Sequence, residues 1–215
     1  MEKPVLIYCY DAYCGWCYGF SPVIKKIAAA FAAQADTEVL SGGMILTDTP
    51  RHIGATATYI QQAYKRVEEY TGIQFGSDYL WHIHHPEESD WYPSSEKPSI
   101  ALCIFKEYFP QLQVELAAAL QYALHYEGRD LCDDEAYRPL LQQYGINENE
   151  FYSKLKNLIY KEQAYYEFEC CRQLQVKAFP AVLLRVSDVK FHLLAQGYMH
   201  YEALAAAVTQ ALRHV

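Results

Sequence analysis

The sequence predicts an α/β fold in which the two ends of the chain build one sheet and a long helical segment lies between them. A strand–helix–strand pattern opens the chain, and a strand–strand–helix pattern closes it. A Cys-x-x-Cys motif, Cys14-Gly15-Trp16-Cys17, lies between the first predicted strand and the first predicted helix.

The first unit begins with a continuous apolar and aromatic run over residues 4–10, which is typical of a buried strand. From Phe20 the apolar residues follow helical spacing as far as Phe31, although Pro22 removes one backbone donor and should kink the helix. Residues 37–40 predict a second strand. A strand, a helix and a strand in this order indicate a parallel β-α-β unit with a right-handed crossover.

The closing unit has two predicted strands, at residues 181–186 and 191–195, joined by a tight turn. Residues 201–213 predict a helix, because apolar side chains recur there at four-residue steps. The two units together supply the elements of a thioredoxin fold.

The segment between the units is almost entirely helical in pattern. Residues 72–98 are the exception, since turn residues and aromatics predict an irregular connection there. We assign residues 1–48 and 174–215 to the thioredoxin-fold core of a single unit and residues 49–173 to a helical insertion. The predicted helices of the insertion span residues 52–70, 100–109, 112–126, 134–144 and 147–173.

Composition excludes several functions. A net charge of -8 over 215 residues provides no positive footprint for nucleic acid or an anionic membrane. No apolar run reaches transmembrane length, and no secretory signal pattern is visible. The number of cysteines, seven, is odd, and the five outside the Cys-x-x-Cys motif show no regular framework spacing, which favours a reducing compartment. We therefore expect a cytoplasmic protein.

Cys14 and Cys17 are the expected catalytic residues. A helix start supplies free N–H groups and a positive dipole end, which favour a thiolate over a thiol. Cys14 lies nearer that end and is expected to attack a disulfide, while Cys17, one turn further, resolves the mixed disulfide. The direction of exchange depends on reduction potential and partner.

Three stretches carry a resemblance to a known family. Residues 11–22 (DAYCGWCYGFSP), Gly42-Gly43-Met44 and Ala178-Phe179-Pro180-Ala181 resemble the DsbA-like family of thioredoxin-fold oxidoreductases. More narrowly, they are similar to its branch of predicted protein-disulfide isomerases that lack a secretory signal. The resemblance extends over nearly the whole chain and implies a thioredoxin core interrupted by a helical insertion, with the dithiol at their junction.

The resemblance also implies a role for the Phe179-Pro180 loop. Pro180 matches the family's cis-proline, which would bring the backbone of Phe179 beside Cys14, where a substrate strand could pair. The alternative is a trans proline at the first residue of a strand. Trp16 either covers the helix start or forms an exposed substrate platform. We take Trp16, Phe179 and Pro180 as the expected substrate-binding residues.

One departure from the family bears on the chemistry. Periplasmic oxidases of the family have Pro-His between the cysteines, whereas this chain has Gly15-Trp16. A histidine can hold the thiolate by charge or hydrogen bonding, but indole has no basic site. We therefore expect a less oxidising couple.

No metal or bound cofactor is expected. Structural zinc needs four ligands, and the adjacent Cys170 and Cys171 lack the spacing. The cluster of His82, His84 and His85 falls in the connection predicted to be irregular, so a solvated loop is the simpler interpretation. The redox-active group would be the Cys14–Cys17 disulfide itself, recycled by glutathione or another thiol reductant.

The expected partners are protein or small-molecule thiols and disulfides. Two other functions stay open: a redox-independent adaptor on the same scaffold, and a glutathione-using enzyme of the kappa transferase and isomerase type. A serine typically takes the nucleophile-side position in the latter, which two cysteines disfavour. The oligomeric state and the roles of Cys170 and Cys171 are open.

Overall fold

The computed structural model describes residues 3–213, and in that range the chain forms a four-stranded sheet and nine α-helices. The strands are β1 (Val5–Tyr10), β2 (Asp36–Ser41), β3 (Ala181–Ser187) and β4 (Lys190–Gln196). The helices are α1 (Gly15–Phe31), α2 (Gly54–Thr71), α3 (Ser77–His84), α4 (Glu96–Tyr108), α5 (Gln113–His125), α6 (Arg138–Tyr144), α7 (Glu148–Leu155), α8 (Leu158–Gln173) and α9 (Tyr201–Leu212).

The strand order in the sheet is β2-β1-β3-β4. The pair β1 and β2 is parallel, whereas β3 is antiparallel to both of its neighbours, β1 and β4. The parallel pair requires the α1 crossover, and the antiparallel pair β3–β4 closes by a hairpin. This is a thioredoxin fold with a helical insertion between β2 and β3, and the predicted fold class is confirmed.

Strand β1 carries the core on both of its faces because successive side chains point to opposite sides of the sheet. Leu6, Tyr8 and Tyr10 pack into the large cluster shared with α1 and the helical segment. Ile7 and Cys9 pack into a smaller cluster on the other face. The end of β1 is therefore held from both sides, directly before the Cys-x-x-Cys motif.

The helical segment packs directly on the sheet unit. Helix α5 contacts α1 and β2, and α8 contacts α4 and β2. Buried side chains of α4 and α5 belong to the same apolar cluster as those of β1 and α1. The dithiol, at the start of α1, consequently lies where the two parts of the chain meet.

Two expectations about the helical segment were wrong. Residues 72–98 are not an irregular connection, since they contain α3 and the first turn of α4, and His82 and His84 lie on α3. The helix predicted over residues 147–173 is two helices, because the Asn157 side chain accepts the Ile159 N–H at 3.0 Å and caps a new start.

Two boundaries also differ from the sequence pattern. Helix α1 begins at Gly15, five residues before the apolar periodicity starts, and runs through Pro22. The segment at residues 134–144 opens with a 3-10 turn, Asp134–Tyr137, before α6. Across residues 3–213, no helix combines the length and apolar character that a membrane span requires.

Candidate active site

Cys14 is the N-cap of α1. Its Sγ accepts the backbone N–H of Cys17 at 3.2 Å, and its own N–H donates to the Asp11 carbonyl at 3.1 Å. A sulfur held at an N-cap faces the free N–H groups and the positive end of the helix dipole, and both stabilise a thiolate. Cys14 is only 6% exposed, so its access to a substrate depends on the groove that it lines.

Cys17 lies behind Cys14 and is fully buried. Burial, followed by the hydrogen bond and the charge of Cys14, raises the pKa of Cys17 well above its ordinary value. A thiol with a raised pKa stays protonated while its neighbour reacts. The surroundings of the two sulfurs therefore differ, and Cys17 is the more deeply buried of the two.

The Phe179-Pro180 peptide bond is cis, which confirms the sequence expectation. The Cys14 thiol donates to the Phe179 carbonyl oxygen at 3.6 Å. Pro180 is buried, whereas Phe179 is half-buried and its ring lies against Gly42. The loop before β3 and the end of β2 therefore meet beside the candidate nucleophile.

Asp11 anchors the turn between β1 and Cys14. Its Oδ1 accepts the Tyr13 N–H at 3.0 Å and the Ser95 hydroxyl at 3.0 Å, and its Oδ2 accepts the Met44 N–H at 2.7 Å. Burial raises the pKa of Asp11 despite these hydrogen bonds, which lower it. One buried carboxyl thus joins the motif, the loop after β2 and the start of α4.

Gln121 on α5 also hydrogen-bonds to the turn between β1 and Cys14. Its side-chain N–H donates to the Asp11 carbonyl at 3.1 Å, and its Oε1 accepts the Ser21 hydroxyl at 2.9 Å. Sequence reasoning missed both Ser95 and Gln121, because only the packing of the insertion brings them to the motif. Asp11 carried a local signal, since it directly follows the first strand.

A groove of about 720 Å³ opens beside Cys14. Of the predicted site residues, Cys14, Trp16 and Phe179 line it, and Cys17 and Pro180 lie outside its wall. The rest of the wall comes mainly from the loop after β2, from α2 and α3, and from the segment 168–178. These lining residues include Met44, Tyr59, Tyr64, Phe75, Tyr79 and Phe168.

Trp16 is half-buried at the edge of this groove. Its ring centroid lies 6.2 Å from that of Tyr70 on α2 and 6.2 Å from that of Tyr198 after β4. These contacts hold the indole in a fixed position while part of it stays accessible. Trp81, Trp91 and Tyr92, which the sequence could not place, do not line the groove.

Four of the other five thiols have surroundings that disfavour the thiolate form. Burial raises the pKa of Cys103, Cys132 and Cys170 above the ordinary thiol value. Cys171 also lines the groove, but a hydrogen bond with Cys9 and burial raise its pKa strongly. All seven cysteines are unpaired thiols in this structure.

The histidine cluster does not form one site. The ring of His82 stacks on Trp91 at 3.9 Å, and its Nδ1 lies 2.8 Å from the Ser89 hydroxyl oxygen. His82 is therefore a packing residue rather than part of a solvated loop. Within residues 3–213, the single group of side chains that could converge on a metal ion is His85, Glu87 and Glu88, all exposed.

No protein-family model matches the sequence, and no curated protein matches it. Several solved structures do match the chain. A "putative protein disulfide isomerase" from Nitrosomonas europaea superposes with a TM-score of 0.86 at 25% identity, over 99% of each chain. A probable DsbA oxidoreductase from Streptomyces coelicolor superposes with a TM-score of 0.71 at 18% identity, covering 99% of this chain and 92% of that one.

The chain has the DsbA-like thioredoxin fold. The DsbA-like fold is shared with the cytosolic disulfide reductase DsbM from Pseudomonas aeruginosa, at a TM-score of 0.76 and 24% identity, over 98% and 100% of the two chains. DsbM has also been solved with GSH. A 2-hydroxychromene-2-carboxylate isomerase shares the DsbA-like fold at a TM-score of 0.65 and 12% identity, over 98% and 97% of the two chains.

Proposed function

We propose that this protein is a thiol–disulfide oxidoreductase with Cys14 as nucleophile and Cys17 as resolving thiol. The observation that carries the proposal is the position of the Cys14 sulfur. It caps α1, contacts the Phe179 carbonyl and borders the groove, while Cys17 is buried one turn behind it. Three of the solved structures that share the fold are named as a disulfide isomerase, a disulfide reductase and a DsbA oxidoreductase.

The proposed reaction is two successive exchanges. The Cys14 thiolate attacks one sulfur of a substrate disulfide, which forms a Cys14–substrate disulfide and releases the other half as a thiolate. Cys17 then gives up its proton and attacks the Cys14 sulfur, which forms the Cys14–Cys17 disulfide and releases the second half as a thiolate. Two electrons pass from the dithiol to the substrate, and the reverse sequence oxidises a dithiol.

Reduction of disulfides is the direction we favour. Trp16 offers no basic group to hold the Cys14 thiolate, so the reduced form lacks a stabilisation that a histidine would supply. The fold relative DsbM is named as a disulfide reductase and was solved with GSH. We propose that glutathione or a similar thiol returns the oxidised dithiol to its reduced state.

Two serine variants test the proposal. Cys17→Ser should accumulate a Cys14–substrate mixed disulfide, because the resolving step is lost, and mass spectrometry should show the added substrate half on Cys14. Cys14→Ser should lose disulfide reduction altogether. Cys170→Ser is the control, since it removes a partly exposed thiol that does not line the groove and should leave the rate unchanged.

The result that would overturn the proposal is a Cys14→Ser variant that reduces disulfides at the wild-type rate. A Cys14→Ser variant that kept its biological effect without any exchange activity would instead favour the adaptor function. Both results are measured on the same Cys14→Ser variant.

A further inference from the structure

The wall of the groove carries positive charge, whereas the chain as a whole is negatively charged. The chain has 26 acidic and 18 basic residues, lysine and arginine together. The wall has two residues that are charged at neutral pH, Arg172 and Lys177, and both are cationic. The remaining lining side chains are aromatic, aliphatic or thiol-bearing, apart from the two glycines of the loop after β2 and Gly15.

The two cations are not equivalent. The Arg172 guanidinium donates to both carboxylate oxygens of Glu169, at 2.8 and 2.6 Å, so its charge already has a partner. The Lys177 ammonium makes no ion pair or hydrogen bond with any side chain or carbonyl among residues 3–213; only its backbone N–H is bonded, to Gln196. Lys177 is therefore the cation that remains available to a ligand.

Lys177 also stands close to the candidate nucleophile along the chain. It precedes Phe179 by two residues, and two residues of chain span at most about 7 Å between their Cα atoms. The Phe179 carbonyl is the group that the Cys14 thiol contacts. A flexible lysine side chain at this position can reach a substituent of a substrate whose sulfur lies at Cys14.

We infer that the groove selects disulfides carrying an anionic group, such as a carboxylate, and that Lys177 recognises that group. This inference rests on the proposed function and adds the substrate class to it. Because the protein as a whole is negatively charged, its long-range field disfavours anions. The selectivity must therefore come from the local wall, where no carboxylate opposes the lysine.

Three small disulfides of similar size and different charge test the inference. They are 3,3′-dithiodipropionate, which is anionic, bis(2-hydroxyethyl) disulfide, which is neutral, and cystamine, which is cationic. The wild-type protein should reduce the anionic compound with the highest kcat/KM, at low ionic strength and neutral pH. The preference should arise in KM, because the lysine binds the substrate away from the reacting sulfurs.

Substitutions at Lys177 separate this role from a structural one. Lys177→Gln should lower kcat/KM for the anionic disulfide by about threefold to fivefold, the upper part of the range for an exposed ion pair, and leave the neutral compound unchanged. Lys177→Arg should keep the preference, and Lys177→Glu should transfer it to cystamine. Lys190→Gln, which removes an exposed lysine at the start of β4 and outside the groove, is the control.

The outcomes distinguish failure of the inferred substrate preference from failure of the proposed oxidoreductase function. Equal kcat/KM for the three disulfides, or a Lys177→Gln variant that keeps the anionic preference, would overturn the inference and leave the oxidoreductase function standing. Reduction of none of the three compounds, together with no mixed disulfide in Cys17→Ser, would overturn the proposed function and the inference with it.

Discussion

The ring of Phe179 lies directly against the backbone of Gly42: a Cβ added at Gly42 would stand 1.9 Å from Cζ of that ring. The same Phe179 provides the carbonyl oxygen that the Cys14 thiol contacts. The end of β2 therefore sets the position of the loop that borders the candidate nucleophile, and only a residue without a side chain fits there.

Gly42→Ala should displace Phe179 and slow disulfide exchange. Overpacking of this kind costs about 1–3 kcal/mol of unfolding free energy. Gly15→Ala is the control for stability, because its added Cβ would lie 3.4 Å from its nearest neighbour, the Phe75 ring, which is a distance that packing tolerates. Urea unfolding and the rate of disulfide reduction measure the two effects. If Gly42→Ala kept the wild-type stability and the wild-type rate of disulfide reduction, the Phe179 ring would be shown to move away at no cost.

Trp16→His should make the couple more oxidising. A protonated histidine beside Cys14 would stabilise the thiolate and hence the reduced form, and each 1.4 kcal/mol corresponds to about 30 mV. Trp16→Phe is the control, because it keeps an aromatic ring near Tyr70 and Tyr198 without adding charge. Equilibration with a glutathione redox buffer measures the potential. A shift to more negative potential in Trp16→His would contradict this argument.

His125 should make the fold less stable as the pH falls. Burial among Tyr18, Phe75 and Tyr79, only partly offset by the Ala12 backbone, lowers the pKa of His125 to about 3. An unfolded histidine has a pKa of about 6.5. The unfolded state therefore binds more protons below that value, and stability is lost as the pH decreases from about 6.5 towards 3.

The effect of His125 can be measured as the change in unfolding free energy between pH 7 and pH 5. The wild type should lose about 2 kcal/mol more unfolding free energy over that interval than His125→Phe does. Phenylalanine suits the site because neither ring nitrogen of His125 has a hydrogen-bond partner of normal geometry within residues 3–213. His85→Asn, at an exposed position, should behave like the wild type. Equal pH dependence in the wild type and His125→Phe would refute the assignment.

Lys106 and Glu167 form a mostly buried ion pair behind β2. Lys106 also donates to the Val39 carbonyl at 2.8 Å, and Glu167 accepts the Ser41 N–H at 2.8 Å. Removing one partner of such a pair leaves a buried charge and costs about 3–5 kcal/mol. Lys106→Met and Glu167→Leu should each be strongly destabilising.

The double variant should cost less than the sum of the single variants. Replacing a buried pair by apolar groups removes the uncompensated charge, although the Ser41 N–H then loses its acceptor. The exposed pair Lys3–Asp36, with an N–O distance of 2.7 Å, is the comparison, and its double-mutant cycle should give about 1 kcal/mol or less. Strictly additive losses at Lys106 and Glu167 would show that the two charges act independently.

The local sequence pattern did not predict all the helix boundaries of the insertion. The chain was expected to continue as one helix over residues 147–173, but Asn157 caps a second helix in the middle of that range. Residues 72–98 looked irregular because turn residues and aromatics alternate there, yet tertiary packing stabilises α3 within them. Local propensity is a weak guide where a short helix gains most of its stability from packing.

The sequence alone predicted the individual strands of the sheet and the Cys14–Cys17 motif at the start of a helix, because each depends on residues close together in the chain. The role of the Phe179-Pro180 loop was expected from the resemblance to the DsbA-like family. Only the tertiary structure decided what surrounds the motif. Ser95, Gln121, Gly42 and Lys177 lie far from Cys14 in sequence, and they reach its neighbourhood because the insertion and both sheet halves share one apolar core. Long-range contacts of this kind leave no local pattern, so the wall of the groove and its charge were visible only in the folded chain.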